Sequence, residues 1–243
     1  MDILKDSIVT EYISSLEGLS PAQNEVSSLC QCISGNIPKD IHSVIAVPYS
    51  SNLVELAANT GGLNNVKLIL MYISNTSYFN GDSMKFLVNK MLESKLVETV
   101  EHYYNALDKN LKMHPPCAQY MDTEYEKLLL SSNNNHFGGK TLWDYLIESL
   151  TNMTEGSLSH GVNKVVDLAF KRCFSLCIRI LQFDFEVSKK KNIRSLVAKC
   201  LKYKLERRTR MSEISKLLDR LFNTGYDFQM LVIDLALLVR QLQ

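Results

Sequence analysis

Apolar residues recur along most of the chain at spacings of three, four and seven positions, which is the period of an amphipathic helix. The pattern predicts a helix near the N-terminus and a second one that begins at Ser20-Pro21. Serine is a good helix cap, and proline suits the first helical position because its missing N–H has no partner there. The apolar stripe predicted to be buried on this second helix consists of Val26, Leu29, Cys30 and Ile33.

Two pairs of short helices are predicted next. Residues 51–59 and 63–74 form the first pair, around a structural turn at Gly61 and Gly62, and residues 82–94 and 96–108 form the second. Adjacent prolines at 115 and 116 then exclude a helix, and a polar run at 131–139 makes another break. We therefore divide the chain into an N-terminal helical-hairpin subdomain, 1–113, and a C-terminal helical subdomain, 114–243, packed together as one unit.

The chain has no proline after Pro116, as expected for long uninterrupted helices in its second half. Helices are predicted over 141–150, 162–183 and 193–205, with two more after Ser212 and Asp227. No segment has convincing strand character, and the best candidate, 44–47, is short and ends at Pro48. The sequence thus predicts an all-α fold, a layered helical domain with stacked helical hairpins in its N-terminal half.

Residues 56–70, with the sequence LAANTGGLNNVKLIL, carry a family resemblance. The Leu-Ala-Ala helix, the glycine at 61, the leucine at 63 and the Val-Lys-Leu-Ile-Leu helix resemble the helix–turn–helix of an ankyrin repeat. About 34 positions later, residues 86–107 repeat the hydrophobic rhythm with Lys95 in place of Gly61. This second unit is equally similar to a tetratricopeptide or pentatricopeptide helix pair. Both resemblances imply an α-helical solenoid.

Composition supports a folded chain without a membrane span. Of the residues 46% are hydrophobic and 22% are charged, which excludes intrinsic disorder. The N-terminus does not have the pattern of a signal peptide. The most apolar stretch, 228–242, is too short to cross a bilayer and has Asp234 in its middle. We therefore expect an intracellular protein, in the cytoplasm or nucleus, with reduced cysteines and no membrane insertion.

No complete catalytic motif is present, and we predict no catalytic residues, no metal site and no cofactor. The segment 137–141 is similar to the end of a phosphate-binding loop, but Asn134 stands where that loop needs glycine. Cys173 and Cys177 share one helix face, and we interpret them as buried structural thiols. His114 and Cys117 flank the two prolines without an orienting acid. The chain is therefore predicted not to be an enzyme.

Charge is distributed unevenly. Residues 189–220 contain twelve basic and three acidic residues, a net charge of +9, whereas the remainder of the chain carries −8. This stretch is either a basic face for an acidic partner, or a set of solvated charges that pair with the acidic N-terminal half. The candidate partner-binding residues are Lys189, Lys190, Lys191, Arg194, Arg207, Arg208 and Arg210.

The predicted function follows from the helical hairpins and the basic stretch. We expect a non-enzymatic protein-binding adaptor or scaffold subunit of a larger complex, whose partner is another protein with an acidic surface. The alternative is a nucleic-acid-binding helical protein that uses the basic face within 189–220. The sequence does not indicate an oligomeric state.

Overall fold

The structure is a computed structural model that describes residues 46–60, 63–116, 118, 120–132, 137–154 and 164–191, together with residues 196, 199, 200, 235 and 238. For residues 63, 150–154 and 189–191 it describes the backbone only. Of the described residues 76% are helical and 4% are in strands, and seven helices pack against one another. The predicted all-α class is confirmed.

The described helices that the apolar period predicts begin within two residues of the predicted starts, but the helix predicted at 63–74 ends at Ile69 and the one predicted at 162–183 continues to Lys191. Asn80 caps the third helix, because its side chain accepts a hydrogen bond from the Ser83 N–H at 2.9 Å. The 3₁₀ turn Leu70–Tyr72 follows the second helix. In chain order the elements are β1 (Val47–Pro48), α1 (Ser51–Asn59), α2 (Leu63–Ile69), β2 (Ser77–Tyr78), α3 (Gly81–Glu93), α4 (Val97–Met113), α5 (Asp122–Leu130), α6 (Leu142–Thr154) and α7 (Lys164–Lys191).

The helices stack in two rows. In the first row α1 contacts α3 and α3 contacts α5, and in the second row α2 contacts α4 and α4 contacts α7. The two rows meet in pairs, α1 with α2, α3 with α4 and α5 with α7, and α6 lies against α5 and α7. Each helical hairpin of the N-terminal half is therefore laid on the next in the same orientation.

The rows share one apolar core that runs through both predicted subdomains. Ala57 and Ala58 are buried on α1, where their small side chains let neighbouring helices approach closely. Trp143 of α6 and the α7 residue Phe174 belong to the same core. Since α3 and α4 pack directly on α5 and α7, helices on the two sides of residue 113 are in contact.

Two short extended segments pair where the sequence predicts none. Within the described ranges they form a two-stranded parallel sheet, in which Val47 lies opposite Ser77 and Pro48 lies opposite Tyr78. The Val47 N–H donates to Thr76 O at 2.9 Å, and the N–H of residue 49 donates to Tyr78 O at 2.7 Å. The candidate strand at 44–47 overlaps β1, but its partner β2 follows a whole helical hairpin later in the chain, which local periodicity does not reveal.

The offset between the two hairpins depends on the end at which it is measured. Helices α1 and α3 begin at Ser51 and Gly81, an offset of 30, and end at Asn59 and Glu93, an offset of 34. The spacing of about 34 residues in the sequence therefore matches the turns within the hairpins. The segments that precede the hairpins repeat after 30 residues. The difference arises because α3 has 13 residues and α1 has 9.

Several predictions concern residues outside the described ranges. These are the helix near the N-terminus, the helix at 20–34, the turn at Gly61 and Gly62, and, apart from residues 196, 199, 200, 235 and 238, the helices at 193–205, after Ser212 and after Asp227. Thr60, which ends α1, has a right-handed backbone conformation with φ of −71°.

The close approach of α3 and α5 gives the first testable prediction. A Cβ atom at Gly81 would lie 2.9 Å from the Glu124 carbonyl oxygen and 2.9 Å from the Lys127 Cβ. Gly81→Ala should therefore force the two helices apart and lower the free energy of unfolding by about 1–3 kcal/mol. Chemical denaturation measures this loss, and hydrogen exchange should become faster in α5.

Gly139→Ala is the matched control for this substitution. Gly139 has φ of +79° and open space around its Cα, so alanine there causes backbone strain without an interhelical clash. Exchange in α5 should stay unchanged in this variant. An unchanged unfolding midpoint for Gly81→Ala would contradict the close packing of α3 on α5.

Candidate functional site

An open groove lies at the turn end of the two stacked hairpins. Its volume is about 280 Å³. The first hairpin contributes Ala58 at the end of α1 and Val66 on α2. The second hairpin contributes the remaining lining residues, which are Lys90, Glu93, Ser94, Leu96, Thr99 and Tyr103. Stacking of the hairpins therefore creates the groove, and neither hairpin alone contains it.

The groove is lined by both polar and apolar side chains, among them one oppositely charged pair. Lys90 Nζ lies 3.7 Å from Glu93 Oε2 and 5.5 Å from the centroid of the Phe86 ring. Tyr103 is buried, and its burial, together with the Glu93 carboxylate, raises the pKa of the phenol. The site thus presents one positive and one negative side chain beside the apolar side chains of Ala58, Val66 and Leu96.

Two exposed apolar side chains lie next to the groove, in the turn between α3 and α4. Leu96 lines the groove and is 64% exposed, and Val97 is 48% exposed. Leu96 is the N-cap residue of α4, and its side chain makes no capping hydrogen bond. An apolar residue at this position, where Ser, Thr, Asp or Asn is favoured, makes the start of α4 less stable than a capped helix start would be.

The sequence pattern does not single out these groove residues. The only signal was the pair Leu96-Val97, placed in a turn directly after the polar Glu93-Ser94-Lys95. The groove itself is lined by residues of successive hairpins, such as Ala58 and Lys90, which lie far apart in the chain.

The predicted basic patch lies mostly beyond the described residues. Lys189, Lys190 and Lys191 form the C-terminal end of α7, where only the backbone is described. Arg194, Arg207, Arg208 and Arg210 lie outside the described ranges. The structure therefore does not bring these residues together or separate them, and their partner-binding role stays a prediction.

Several basic residues near this patch pair with acids of the preceding helices. Lys199, which belongs to the basic stretch, forms a salt bridge with Glu126 of α5. On α7, Arg172 pairs with Glu101 at 2.8 Å, and Arg179 pairs with Asp108. These contacts are internal pairing of the kind that the alternative interpretation of the charge asymmetry predicts, although only Lys199 comes from 189–220.

The cysteines of α7 are buried, as predicted. Cys173 and Cys177 are buried, and Cys200 is brought close enough to influence Cys177, although sequence reading found no third cysteine near this pair. A hydrogen bond with Cys173 and burial both raise the pKa of Cys177, which favours the neutral thiol. Among the described residues, no group of three or more His, Cys, Asp or Glu side chains has a metal-binding arrangement.

The other two sequence candidates have structural roles where they are described. His114 is buried, and its Nε2 lies 2.7 Å from Ser74 O and 3.0 Å from Ser77 O, while Cys117 lies outside the described residues. In the 137–141 loop, Gly138 and Gly139 have positive φ, and Thr141 Oγ1 accepts from the Asp144 N–H at 3.0 Å. This loop is thus a glycine turn that leads into a threonine-capped helix.

No helix among the described residues is both long enough and apolar enough to cross a membrane. Comparison of the chain with protein-family models, curated proteins and solved structures gives no match. Its function is therefore inferred from the geometry of the groove and the charges around it.

Proposed function

We propose that the protein is a non-enzymatic binding scaffold, and that the groove at the turn end of its stacked hairpins holds a segment of a partner protein. The observation that carries the proposal is the combination of an open groove with Leu96, a largely exposed apolar side chain in its wall. Exposed apolar surface beside a concave site is typical of protein–protein contact.

The size and chemistry of the groove favour a protein segment over a metabolite. Its volume of about 280 Å³ is at the lower limit of small-molecule sites, which span about 300–1,000 Å³. A partner can place one or two apolar side chains against Ala58, Val66 and Leu96, and its polar backbone can meet the Lys90–Glu93 pair. The opposite charges of the pair suit a segment of mixed polarity.

The resemblance to helical-repeat families supports the same function. Such families bind partners through surfaces formed by successive repeats. Here the groove is formed jointly by α1, α2, α3 and α4, so it depends on stacking in the same way. We further propose that the chain is a solenoid of this kind.

A single substitution tests this surface without weakening the fold. Leu96→Asp replaces an apolar residue at the N-cap of α4 with a favoured capping residue, so α4 should be as stable as before or more stable. A buried carboxylate in the contact should nevertheless reduce partner recovery at least tenfold, because an unpaired charge is costly at an interface. The measurement is quantitative mass spectrometry after affinity purification of the full chain from nuclease-treated extracts of the native cell.

The matched control is Val166→Asp. Val166 is an exposed apolar residue in the first turn of α7, where an acid is also favourable, and it is not one of the residues that line the groove. This variant should recover the partner at the wild-type level. Equal recovery with Leu96→Asp, or recovery of nucleic acid alone from untreated extract, would contradict the proposed site.

A further inference from the structure

The outer face of the first hairpin carries most of the exposed apolar side chains in the described part of the chain. Among eight large apolar residues that are strongly exposed, five belong to this outermost layer. They are Val47, Leu53, Leu56, Leu68 and Met71. Surface of this kind at the end of a helical stack requires a cap or a further repeat for solubility.

The segments that precede the two hairpins, β1 with Ser50 and β2 with Asn80, indicate where in the chain a preceding repeat unit would begin. Strands β1 and β2 pair in parallel at an offset of 30 in the chain numbering, and the N-cap residues Ser50 and Asn80 keep the same offset. One further step of this size towards the N-terminus leads from Ser50 to Ser20 and from the start of α1 to Pro21. These are the residues at which capping rules alone predict the start of a helix.

We propose that residues 17–34 dock on the outer face of the first hairpin as one more repeat unit. In this arrangement the helix that begins at Pro21 lies against Leu53 and Leu56 of α1, and the residues before it extend the β1–β2 pairing at Val47.

The length and position of the preceding chain agree with this occupant. Residues 1–45 lead directly into β1, which is itself part of the outer layer, so the connection from residue 34 to Ala46 needs to span only one repeat. The helix predicted at 21–34 would have an apolar stripe that includes Leu29 and Ile33, and such a stripe needs a surface to cover it. A helix over this range is about 21 Å long, longer than the nine-residue α1 that would receive it.

Hydrogen-exchange mass spectrometry on the full chain tests the docking. In the wild type, amides of residues 22–34 should be protected, and Leu53→Asp/Leu56→Asp should speed their exchange at least tenfold while α4 and α7 stay protected. The matched control is Leu96→Asp/Val97→Asp, a pair of similar exposure outside this face, which should leave residues 22–34 protected. Exchange of 22–34 in the wild type at the rate of an unstructured peptide would overturn the proposal.

Cross-linking provides a second readout that does not depend on a destabilising variant. Leu56→Cys in a Cys32→Ser background should cross-link within one chain to native Cys30 through a short bismaleimide. Asn105→Cys, at an exposed position of α4, should not link to Cys30. Absence of a link between Cys30 and the thiol introduced by Leu56→Cys would overturn the docking. A wild-type dimer that Leu53→Asp/Leu56→Asp converts to monomer, with no change in the protection of 22–34, would assign the face to a second copy instead.

Discussion

Replacing His114 with phenylalanine is expected to lower the free energy of unfolding by about 2–4 kcal/mol, since several buried hydrogen bonds are lost together. The His114 ring joins the C-terminal end of α4 to β2 and the turn before it. Its Nε2 lies 2.7 Å from Ser74 O and 3.0 Å from Ser77 O, and its Nδ1 lies 3.0 Å from Tyr120 Oη. Carbonyl oxygens only accept, so Nε2 carries the proton, and neutral Nδ1 accepts from the Tyr120 hydroxyl.

The pH dependence of the free energy of unfolding distinguishes the hydrogen-bonding role of His114 from a contribution of packing alone. Burial lowers the pKa of His114, while the bonds to the two serine carbonyls oppose part of that effect. Because the folded-state pKa is below the unfolded value of about 6.5, the contribution of His114 is complete above that pH. It is lost as the pH falls through the lowered folded-state pKa. His114→Phe should remove this dependence.

Urea unfolding of both proteins at several pH values between 5 and 8 is the measurement. His102, which is half-buried on the same helix, provides the matched control as His102→Phe. If the stability of His114→Phe changes below pH 6.5 with the same slope as that of the wild type, another group is responsible for the pH dependence.

Local sequence pattern predicted most of the helices and almost none of the contacts between them. The bounds predicted for α3, 82–94, lie within one residue of the observed ones, whereas α4 continues from the predicted end at 108 to Met113, just before the two prolines that follow His114. The hydrogen bonds of His114 join it to Ser74 and Ser77, which precede the second hairpin. Because these residues are distant in the chain, the local sequence around His114 did not predict the bonds.

The candidate site was unpredictable for a related reason. The ankyrin-like unit at 56–70 indicated stacked hairpins, but the groove depends on how far one hairpin is offset from the next. Aligning the turns and aligning the starts give different offsets, because α3 is longer than α1. The basic stretch at 189–220 was conspicuous from its charge, and the one described side chain in it that forms a salt bridge, Lys199, pairs internally with Glu126.

Asp184→Asn is expected to stabilise the protein, because burial of an ionised carboxylate at this position costs free energy. Asp184 is 4% exposed on α7, and burial raises its pKa to about 6. Two of its neighbours oppose that effect, since the Leu196 N–H donates to Asp184 Oδ2 and the Ser188 hydroxyl lies 3.5 Å from it. Asp122 raises the pKa further by charge repulsion, and Lys199 lowers it.

The sign of the effect follows from the raised pKa. An unfolded aspartate titrates near 3.9, so the stability linked to Asp184 is complete below that pH and is lost as the pH rises through about 6. A pKa displaced this far corresponds to about 3 kcal/mol above pH 7. Asparagine keeps an oxygen acceptor for the Leu196 N–H and does not titrate, so it resembles the protonated acid at every pH.

Denaturant unfolding of Asp184→Asn and the wild type should therefore give similar stabilities near pH 4 and a difference that grows to about 3 kcal/mol at pH 7.5. Asp167→Asn makes the same chemical change at an exposed position in the first turn of α7, where a carboxylate is favourable, so it should lower the stability by no more than about 1 kcal/mol at pH 7.5 and should not raise it. The profile of Asp184 opposes that of His114, because one group loses stability as the pH rises towards 6 and the other gains it. The double variant should consequently have a flatter profile than either single variant. A difference between Asp184→Asn and the wild type that is constant from pH 4 to 7.5 would mean that the carboxylate gains as much from its hydrogen bonds as burial costs it.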